Sequence, residues 1–499
     1  MWQSIVSLVT PSYVGLIILG VVWGLVFGAI PGLTATLAIV VLIPVTYSMS
    51  VTNGMGILIG IYVGAISGGL VSAILIGMPG TPSSITTAFD GFPLAKEGQA
   101  RKALGAGIMA NFVGTLFGCL FLVTLSAPIS RFAMNFISWE YVAIILFGLT
   151  AVVSLSGGSL IKGTAMAAFG LLVATIGTDP TYGMYRNTFG IKIFRGGIAQ
   201  IPAMIGLFVI SQVFIEAKDS GTKFLTPKAE KVSPWLTRQE WKENIVNMLR
   251  SSGIGLMIGI LPGIGGALSN FVAYDQAQRS SKHPEKFGHG ALEGIIASET
   301  ANNASIGGAL IPMLTIGIPG DAATAALLGG LMLHGLQTGP LLMTERPEVA
   351  YSIFAALFLS SIIMFLVMMG GIRIFPTLLR IPKSFLLPLV LVIGVVGCYN
   401  LQYSLSDVWI AVIFGIIGFF LKKYGYPLTP IVISLVLGKS LELNLRRGLQ
   451  LAQGSFLPLI TRPIALVFVI LTIASLMFSL MKKRQKPQTE AASTPKSSQ

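Results

Sequence analysis

Four Pro-Gly pairs interrupt apolar stretches of this sequence, and polar or small residues follow each of them. They lie in the segments "GAIPGLTAT", "GMPGTPSS", "GILPGIGGA" and "GIPGDAAT", which begin at residues 28, 77, 259 and 317. Proline lacks a backbone N–H and glycine is conformationally free, so each pair predicts a helix end with unpaired backbone groups. Free N–H groups at a helix N-terminus bind anions, whereas carbonyl, hydroxyl and carboxylate oxygens bind hard cations. The interruptions therefore favour a site for a charged solute.

The residues around the interruptions are the candidate ligands of an anionic substrate. Thr81 and Asp321 are predicted to be N-caps of helices that restart directly after a break. A lone arginine at the bilayer centre costs about 2.5 kcal/mol or more, whereas a helix terminus supplies positive potential without a buried ion. The predicted substrate-binding residues are Gly32, Thr34, Thr36, Gly80, Thr81, Ser83, Ser84, Gly263, Gly265, Gly266 and Gly320.

The polar stretch "ASETANNASIGGALIP", which begins at residue 297, is the second candidate feature. Ser298, Asn302 and Ser305 recur at helical spacing on one face, which favours a cavity lining; hydrogen bonds between packed helices are the alternative. We expect Asn302, Asn303 and Asp321 to bind a coupling cation, and hard oxygen ligands of this kind suit sodium. A capping role is the alternative for Asp321, and the two roles are compatible.

The interruptions also belong to an internal repeat. A single Pro-Gly pair usually marks a kink or a turn. Here "GLVFGAIPGLTATL" from Gly24 aligns without gaps with "GLMIGILPGIGGAL" from Gly255, and "GMPGTPSS" and "GIPGDAAT" follow in the same order. Duplicated halves with Gly/Pro-interrupted apolar segments at matching positions are typical of the binding sites of secondary transporters. The four breaks together therefore favour function over four ordinary kinks.

The composition is that of a membrane protein, because 53% of the 499 residues are hydrophobic and only 10% are charged. Apolar runs of about 20 residues without strand-like alternation predict helices. We predict an all-α polytopic membrane protein with about 10 to 12 transmembrane helices and additional broken or re-entrant pieces. The net charge of +14 is spread over short loops. This distribution fits the positive-inside rule and forms no basic stripe for nucleic acid.

Motifs of common cofactor sites are absent from the sequence. Cys119 and Cys398 lie in apolar stretches, the three histidines lack the spacing of metal ligands, and no nucleotide-binding P-loop occurs. We therefore expect no cofactor apart from a coupling sodium ion, and no ATP-driven pump on this chain.

Polar segments divide the chain into two membrane halves. We predict an N-terminal membrane half over residues 1–217, a basic linker over 218–245, a C-terminal membrane half over 246–481 and a disordered tail over 482–499. The linker and the "KKRQK" at the start of the tail are rich in positive charge. The positive-inside rule therefore predicts that both face the cytoplasm.

The interrupted segments and their flanks resemble the large membrane subunit of tripartite tricarboxylate transporters. The resemblance extends from about residue 15 to 440 and includes "GMPGTPSSITTAFDGFPLAKEGQARKALG" and "IPMLTIGIPGDAATAALLGGLMLHGLQTGP". The resemblance implies ion-gradient-driven uptake of a di- or tricarboxylate, such as citrate, across a bacterial inner membrane. It implies sodium as the coupling ion, with protons as the alternative. It also implies two partners, a small membrane subunit and a periplasmic solute-binding protein. A more distant likeness to elevator-type carboxylate transporters implies that the halves are inverted repeats with broken helices or re-entrant hairpins.

Two other classes of function stay open at the level of the sequence. One is a membrane-embedded enzyme that acts on a lipid-linked substrate, with Glu299 and Asp321 as acid and base. A cavity open sideways to lipid would favour this enzyme. The other is a passive channel, which accumulation of solute against its gradient would exclude.

Overall fold

The structure of the chain, a computed structural model, describes residues 10–155, 159–179, 182–217, 232–263, 265–379 and 381–484. Helices form most of this part of the chain. Two short strands, β1 (Gly177–Thr178) and β2 (Tyr185–Arg186), pair antiparallel. The chain is thus an all-α polytopic membrane protein, as the composition predicts.

Nine helices precede the linker in the described residues. They are α1 (Pro11–Ala29), α2 (Ala35–Thr46), α3 (Val51–Ile76), α4 (Ile85–Lys96), α5 (Ala100–Ala133), α6 (Ser138–Leu155), α7 (Leu160–Ala174), α8 (Gln200–Met204) and α9 (Ser211–Glu216). A 3-10 turn over Pro82–Ser84 leads into α4, and a π-helical turn over Ile205–Ile210 joins α8 to α9.

Twelve helices follow the linker in the described residues. They are α10 (Arg238–Ile260), α11 (Gly265–Ser280), α12 (Leu292–Thr315), α13 (Ala322–Leu333), α14 (Leu342–Glu345), α15 (Pro347–Gly371), α16 (Phe375–Leu378), α17 (Lys383–Gln402), α18 (Leu405–Lys423), α19 (Thr429–Leu451), α20 (Pro458–Thr461) and α21 (Pro463–Arg484).

In the described residues, six helices are long and apolar enough to cross a membrane: α1, α3, α5, α15, α17 and α18. Six more apolar helices have 10 to 17 residues, and α2 and α13 among them are half-length helices that start at interruptions. α12 is 24 residues long, but its polar residues lower its hydropathy and it is buried inside the protein. The expected count of about 10 to 12 complete spans stays a prediction.

The first interruption is the turn of a hairpin formed by α1 and α2. The two open ends of this hairpin lie beside the N-terminal end of α3. A Cβ on Gly20 would lie 2.3 Å from the carbonyl oxygen of Ile57, and one on Gly28 would lie 2.1 Å from that of Ala65. α1 therefore runs parallel to α3, with backbones in the close contact that small residues allow. α2 then returns, because Thr46 at its end contacts Gly54 at the start of α3.

The third interruption forms the matching hairpin against α12. A Cβ on Gly255 would lie 2.1 Å from the carbonyl oxygen of Ala301, so α10 runs parallel to α12 in close contact. α11 returns antiparallel, because Gly266 at its start faces Asn302 and Tyr274 further along faces Gly294 near the start of α12. The second half therefore repeats the hairpin of the first half.

The two halves are inverted relative to each other. Ser67 of α3 hydrogen-bonds Asn303 of α12, while Leu70 and Ile295 both lie against Gly107 of α5. Residue numbers rise along α3 as they fall along α12, so these two buried helices are antiparallel. Each hairpin opens at the N-terminal end of its own long helix, and the hairpins therefore open on opposite sides. The antiparallel long helices agree with the expected inverted arrangement; re-entrance of the hairpins in the membrane stays a prediction.

An aspartate in the middle of α4 joins the two halves. Asp90 Oδ1 accepts hydrogen bonds from the backbone N–H groups of Gly288 (2.7 Å), Gly290 (3.0 Å) and Ala291 (2.9 Å), which belong to the loop before α12. Asp90 is fully buried. One carboxylate oxygen thus ties a loop of the second half to a half-length helix of the first.

The predicted linker is partly helical, because α10 begins at Arg238, within the range 218–245. Thr237 caps α10 in a capping box with Glu240, and Lys102 of α5 forms an ion pair with Glu240 (2.6 Å). Residues 218–231 of the linker and 485–499 of the tail lie outside the described residues.

Candidate functional site

All four interruptions meet at one cavity of about 480 Å³, which we call the central cavity. Its lining residues are Thr34, Ala35, Thr36, Leu37, Ile66, Thr81, Pro82, Ser83, Phe208, Gln212, Gly263, Gly265, Gly266, Ala267, Asp321, Ala322, Ala323, Lys422, Tyr426, Pro427, Leu428 and Thr429. The volume lies within the range of about 300–1,000 Å³ usual for small-molecule sites.

At the first interruption, the chain turns sharply between α1 and α2. Gly32 adopts φ +94°, and Leu33 N–H donates to the carbonyl of Ile30 (3.2 Å). Thr34 then caps α2, because its hydroxyl oxygen accepts from Leu37 N–H (3.2 Å). The N-terminus of α2 therefore points at the central cavity.

At the second interruption, the chain turns back toward the middle of α3 before α4 begins. Gly80 N–H approaches the carbonyl of Gly69 at 3.4 Å. Thr81 and Ser84 form the predicted cap, since Thr81 N–H donates to Ser84 Oγ (3.3 Å) and Ser84 N–H donates to the Thr81 carbonyl (3.0 Å). Thr81 and Ser83 face the central cavity, and Ser84 packs against Gly69 instead.

The third and fourth interruptions are joined by a backbone hydrogen bond. Gly263, at φ +81°, donates its N–H to the carbonyl of Gly320 (2.7 Å). Gly265 and Gly266 follow at the start of α11 and line the central cavity with bare backbone. A side chain at Gly266 would not fit, because a Cβ there would lie 2.5 Å from Asn302 Oδ1.

Asp321 caps α13 at the fourth interruption, as predicted. Its Oδ1 accepts from Thr324 N–H (2.7 Å), and Thr324 completes a capping box by accepting from Asp321 N–H (2.8 Å). Its Oδ2 accepts from the hydroxyl of Tyr62 on α3 (2.7 Å). Asp321 therefore connects the second half of the chain to the long helix of the first.

Replacing Tyr62 by phenylalanine should lower the thermal midpoint of the purified protein in detergent. The change leaves a carboxylate oxygen of Asp321 without its buried donor, at a cost of about 1–3 kcal/mol. The matched control is Tyr13→Phe, which removes a buried hydroxyl that donates to the Ser352 carbonyl (2.7 Å) far from the central cavity. Both variants should lose stability, but only Tyr62→Phe should also weaken substrate binding. Equal substrate affinity in both would contradict a role for this link in shaping the site.

Four helix N-termini therefore surround one cavity. α2, the turn before α4, α11 and α13 all begin at its wall and run away from it. Each N-terminus carries about half a positive elementary charge from the aligned peptide dipoles. The cavity thus offers positive potential and N–H donors to an anion without a cluster of buried cations.

Lys422 adds a full positive charge to the central cavity. It lies in the last turn of α18, and its Nζ donates to Gln212 Oε1 of α9 (2.6 Å). Gln212 in turn donates to Glu216 Oε1 (2.9 Å), and Glu216 forms an ion pair with Lys383. Sequence analysis did not select Lys422. The only signal was a lysine followed by "KYGYP" at the end of an apolar run, where lysines commonly occur.

The structure brings together most of the predicted substrate-binding residues. Those that line the central cavity are Thr34, Thr36, Thr81, Ser83, Gly263, Gly265 and Gly266. Gly32, Gly80, Ser84 and Gly320 do not line it, although they form the turns that place the lining residues. Their roles in binding stay predictions.

The three predicted cation ligands point to different places. Asp321 lines the central cavity, and Asn302 Oδ1 faces Gly266 at the cavity wall. Asn303 lies on another face of α12, where its Oδ1 accepts from Ser67 Oγ (2.7 Å). The structure therefore does not bring Asn303 and Asp321 together, and sodium binding at these residues stays a prediction.

The alternative acid and base pair is also separated in space. Glu299 is fully buried and accepts from Thr87 Oγ1 (2.5 Å), whereas Asp321 lines the central cavity and Glu299 does not. In the described part of the chain, no group of three or more His, Cys, Asp or Glu side chains could hold a metal ion.

Inverted halves and helix N-termini around a shared cavity are typical of multi-pass membrane transporters. The model of the tripartite tricarboxylate transporter TctA family matches residues 14–433, and the chain belongs to this family. The family describes a three-component system, so it implies a small membrane subunit and a periplasmic binding protein as partners.

Two relatives from Agrobacterium vitis are similar to the chain. One, described as an uncharacterized 52.8 kDa protein in the TAR-I ttuC' 3' region, is 33% identical over 446 residues, which are 89% of each chain. The other, an uncharacterized protein in the TAR-II ttuC' 3' region, is 32% identical over 236 residues, which are 46% of this chain and 98% of the relative. No solved structure matches the chain.

Proposed function

We propose that this chain carries di- and tricarboxylates, such as citrate, into a bacterial cell, as the large transmembrane subunit of a binding-protein-dependent system. Uptake is driven by an ion gradient, with sodium as the coupling ion. The chain lies in the inner membrane, and its basic linker and C-terminal tail face the cytoplasm, as the positive-inside rule predicts.

One observation carries the choice of substrate class, namely that four helix N-termini and Lys422 surround the central cavity. A carboxylate accepts hydrogen bonds from backbone N–H groups and from the threonine and serine hydroxyls of Thr34, Thr81 and Ser83. A second carboxylate on the same solute pairs with the lysine ammonium, because hydrogen bonds between charged groups are the stronger ones. A solute with two or three carboxylates therefore suits this cavity better than a monocarboxylate.

The two proposed partners have different roles in uptake. The periplasmic binding protein captures the carboxylate outside the membrane and determines which carboxylate is carried. The small membrane subunit accompanies this chain in the bilayer. Sodium is the favoured coupling ion because the oxygens around the breaks are hard ligands, which bind alkali cations in preference to transition metals.

The test is uptake of radiolabelled citrate, malate and succinate by proteoliposomes that contain this chain, its small membrane subunit and the binding protein. With an inward sodium gradient, at least one of the three solutes should accumulate above its external concentration. Potassium in place of sodium should abolish the accumulation. Uptake that never exceeds equilibration, or that ignores every imposed ion gradient, would defeat the proposal.

A further inference from the structure

Glu299 is a buried carboxylate that the proposed substrate site does not use. It lies on α12, is fully buried, and its Oε1 accepts from the hydroxyl of Thr87 on α4 (2.5 Å). With the Asn111 amide on α5 oriented so that its nitrogen faces Glu299, that nitrogen donates to Oε2 (2.7 Å). Thr87, Asn111 and the neighbouring Asn302 are all neutral partners, so they orient the carboxylate but leave its charge uncompensated.

No lysine or arginine among the described residues forms an ion pair with Glu299. Helices packed against α12 do carry charged or titratable groups: Tyr62 on α3, Asp90 on α4, Lys102 on α5, Arg250 on α10 and Tyr274 on α11. Tyr62 binds Asp321, Asp90 binds the loop before α12, Lys102 binds Glu240, and Arg250 binds Asn247. A lone carboxylate away from water is strongly unfavourable, so Glu299 requires a mobile cation or a proton to neutralise it.

Further side-chain oxygens lie one turn from Glu299 on α12 and on the neighbouring α11. Asn303 Oδ1 accepts from Ser67 Oγ (2.7 Å) and lies 3.3 Å from Thr115 Oγ1. Asn302 and Asn270 are fully buried; in the described part of the chain, Oδ1 of each residue and also Nδ2 of Asn302 have no hydrogen-bond partner by distance and angle. Buried polar atoms are normally paired, so these two oxygens are available to a ligand.

A short segment connects this cluster to the central cavity. Ser83 lines the cavity, and Thr87, the partner of Glu299, follows one helical turn later. Asn270 of α11 donates its side-chain amide to the carbonyl of Ser83. A change in charge at Glu299 therefore acts through Thr87 on the segment that contacts substrate.

We propose that Glu299 is the coupling residue of this transporter, neutralised by one monovalent cation, a sodium ion or a proton, that enters and leaves with each carboxylate. The inference rests on the proposed function and adds the residue through which the ion gradient drives it. When the Glu299 carboxyl is neutralised, it holds Thr87, and with it Ser83, in position for substrate. When the Glu299 carboxylate is ionised without a bound cation, Thr87 and Ser83 leave that position. Net transport thus requires the cation, whereas exchange of one substrate molecule for another does not.

The experiment compares wild type with Glu299→Gln in proteoliposomes of the complete system, with radiolabelled citrate or whichever of the three test solutes wild type accumulates. Two gradients are imposed separately, sodium without a pH difference and a pH difference without sodium. Wild type should accumulate substrate under one of them, which identifies the cation. Glu299→Gln, a neutral copy of the occupied state, should lose at least 90% of gradient-driven accumulation but keep exchange of external label for internal unlabelled substrate.

Glu293→Gln is the matched control, because it removes the same charge from the first turn of the same helix. It should accumulate substrate as wild type does. Gradient-driven accumulation by Glu299→Gln at the wild-type level would overturn the proposal, as would loss of exchange in a variant with a wild-type thermal midpoint. If Glu299→Gln does not fold, Glu299→Asp replaces it. The shorter side chain should shift the half-saturating concentration of the coupling cation at least tenfold, and an unchanged value would overturn the proposal.

The outcome also separates this inference from the proposed function. If wild type accumulates no carboxylate under either gradient, the proposed function fails. If wild type accumulates substrate and Glu299→Gln does so equally, only the role of Glu299 fails.

Discussion

Replacing Gly80 by alanine should reduce carboxylate uptake at least about 100-fold, while the protein still inserts into the membrane. A Cβ at this position would lie 2.0 Å from the carbonyl oxygen of Gly28 and 2.7 Å from Ser72 Oγ. The first of these is a backbone atom, so the turn before α4 must move away from the first hairpin. Displacement of reacting or binding groups by about 1 Å is enough to cause a loss of this size.

The same substitution at Gly320 should have a smaller effect. Its Cβ would lie 2.7 Å from Ala309 Cα and 2.9 Å from the carbonyl oxygen of Gly259, so the required movement is less. Gly15→Ala and Gly253→Ala are the controls, because a Cβ at either position meets no atom within 4 Å. Membrane insertion is measured by fractionation and uptake by radiolabelled substrate. Wild-type uptake by both Gly80→Ala and Gly320→Ala would contradict the assignment of the site.

Replacing Lys422 by glutamine should weaken carboxylate binding about 10- to 100-fold, because a hydrogen bond between charged groups contributes about 1.5–3 kcal/mol. Lys422 lines the central cavity, and its contact with Gln212 uses only one of the three ammonium N–H groups. The affinity is measured as the concentration of substrate that half-saturates uptake.

Lys423→Gln is the matched control for this prediction. Lys423 is the next residue along α18, is exposed, and lies over the ring of Tyr424 instead of in the cavity. Both variants have the same net charge, so a general effect on attraction of anions would appear in both. An equal loss of affinity in the two variants would show that Lys422 does not contact the substrate.

The sequence was sufficient to predict the interruptions and their common site, because the signals are local. A Pro-Gly pair disfavours continuation of a helix, and Thr81 and Asp321 are the predicted caps in the structure. The duplication added the long-range information, since matched breaks in two halves are expected to meet at the interface between the halves.

The residues that sequence analysis missed depend on contacts between distant segments. Lys422 lies in a basic helix end that is typical of any membrane protein, and only the fold brings it to Gln212. Asn303 was predicted to bind a cation together with Asn302, and only the fold shows that its oxygen accepts from Ser67. A difference of one residue on a helix turns the side chain by about 100°, so they face different partners.

The hydrogen bonds of Asp90 have a consequence for how the site opens to either side of the membrane. They join α4 of the first half to the loop before α12 of the second, and the hydrogen bond from Tyr62 to Asp321 also joins the two halves. Separation of the two halves would break several of these bonds at once. We therefore expect the two hairpins and their long helices to shift as a single rigid unit. Lys422 and Gln212, on α18 and α9, would then belong to the part of the protein that stays fixed while the bound solute moves relative to it.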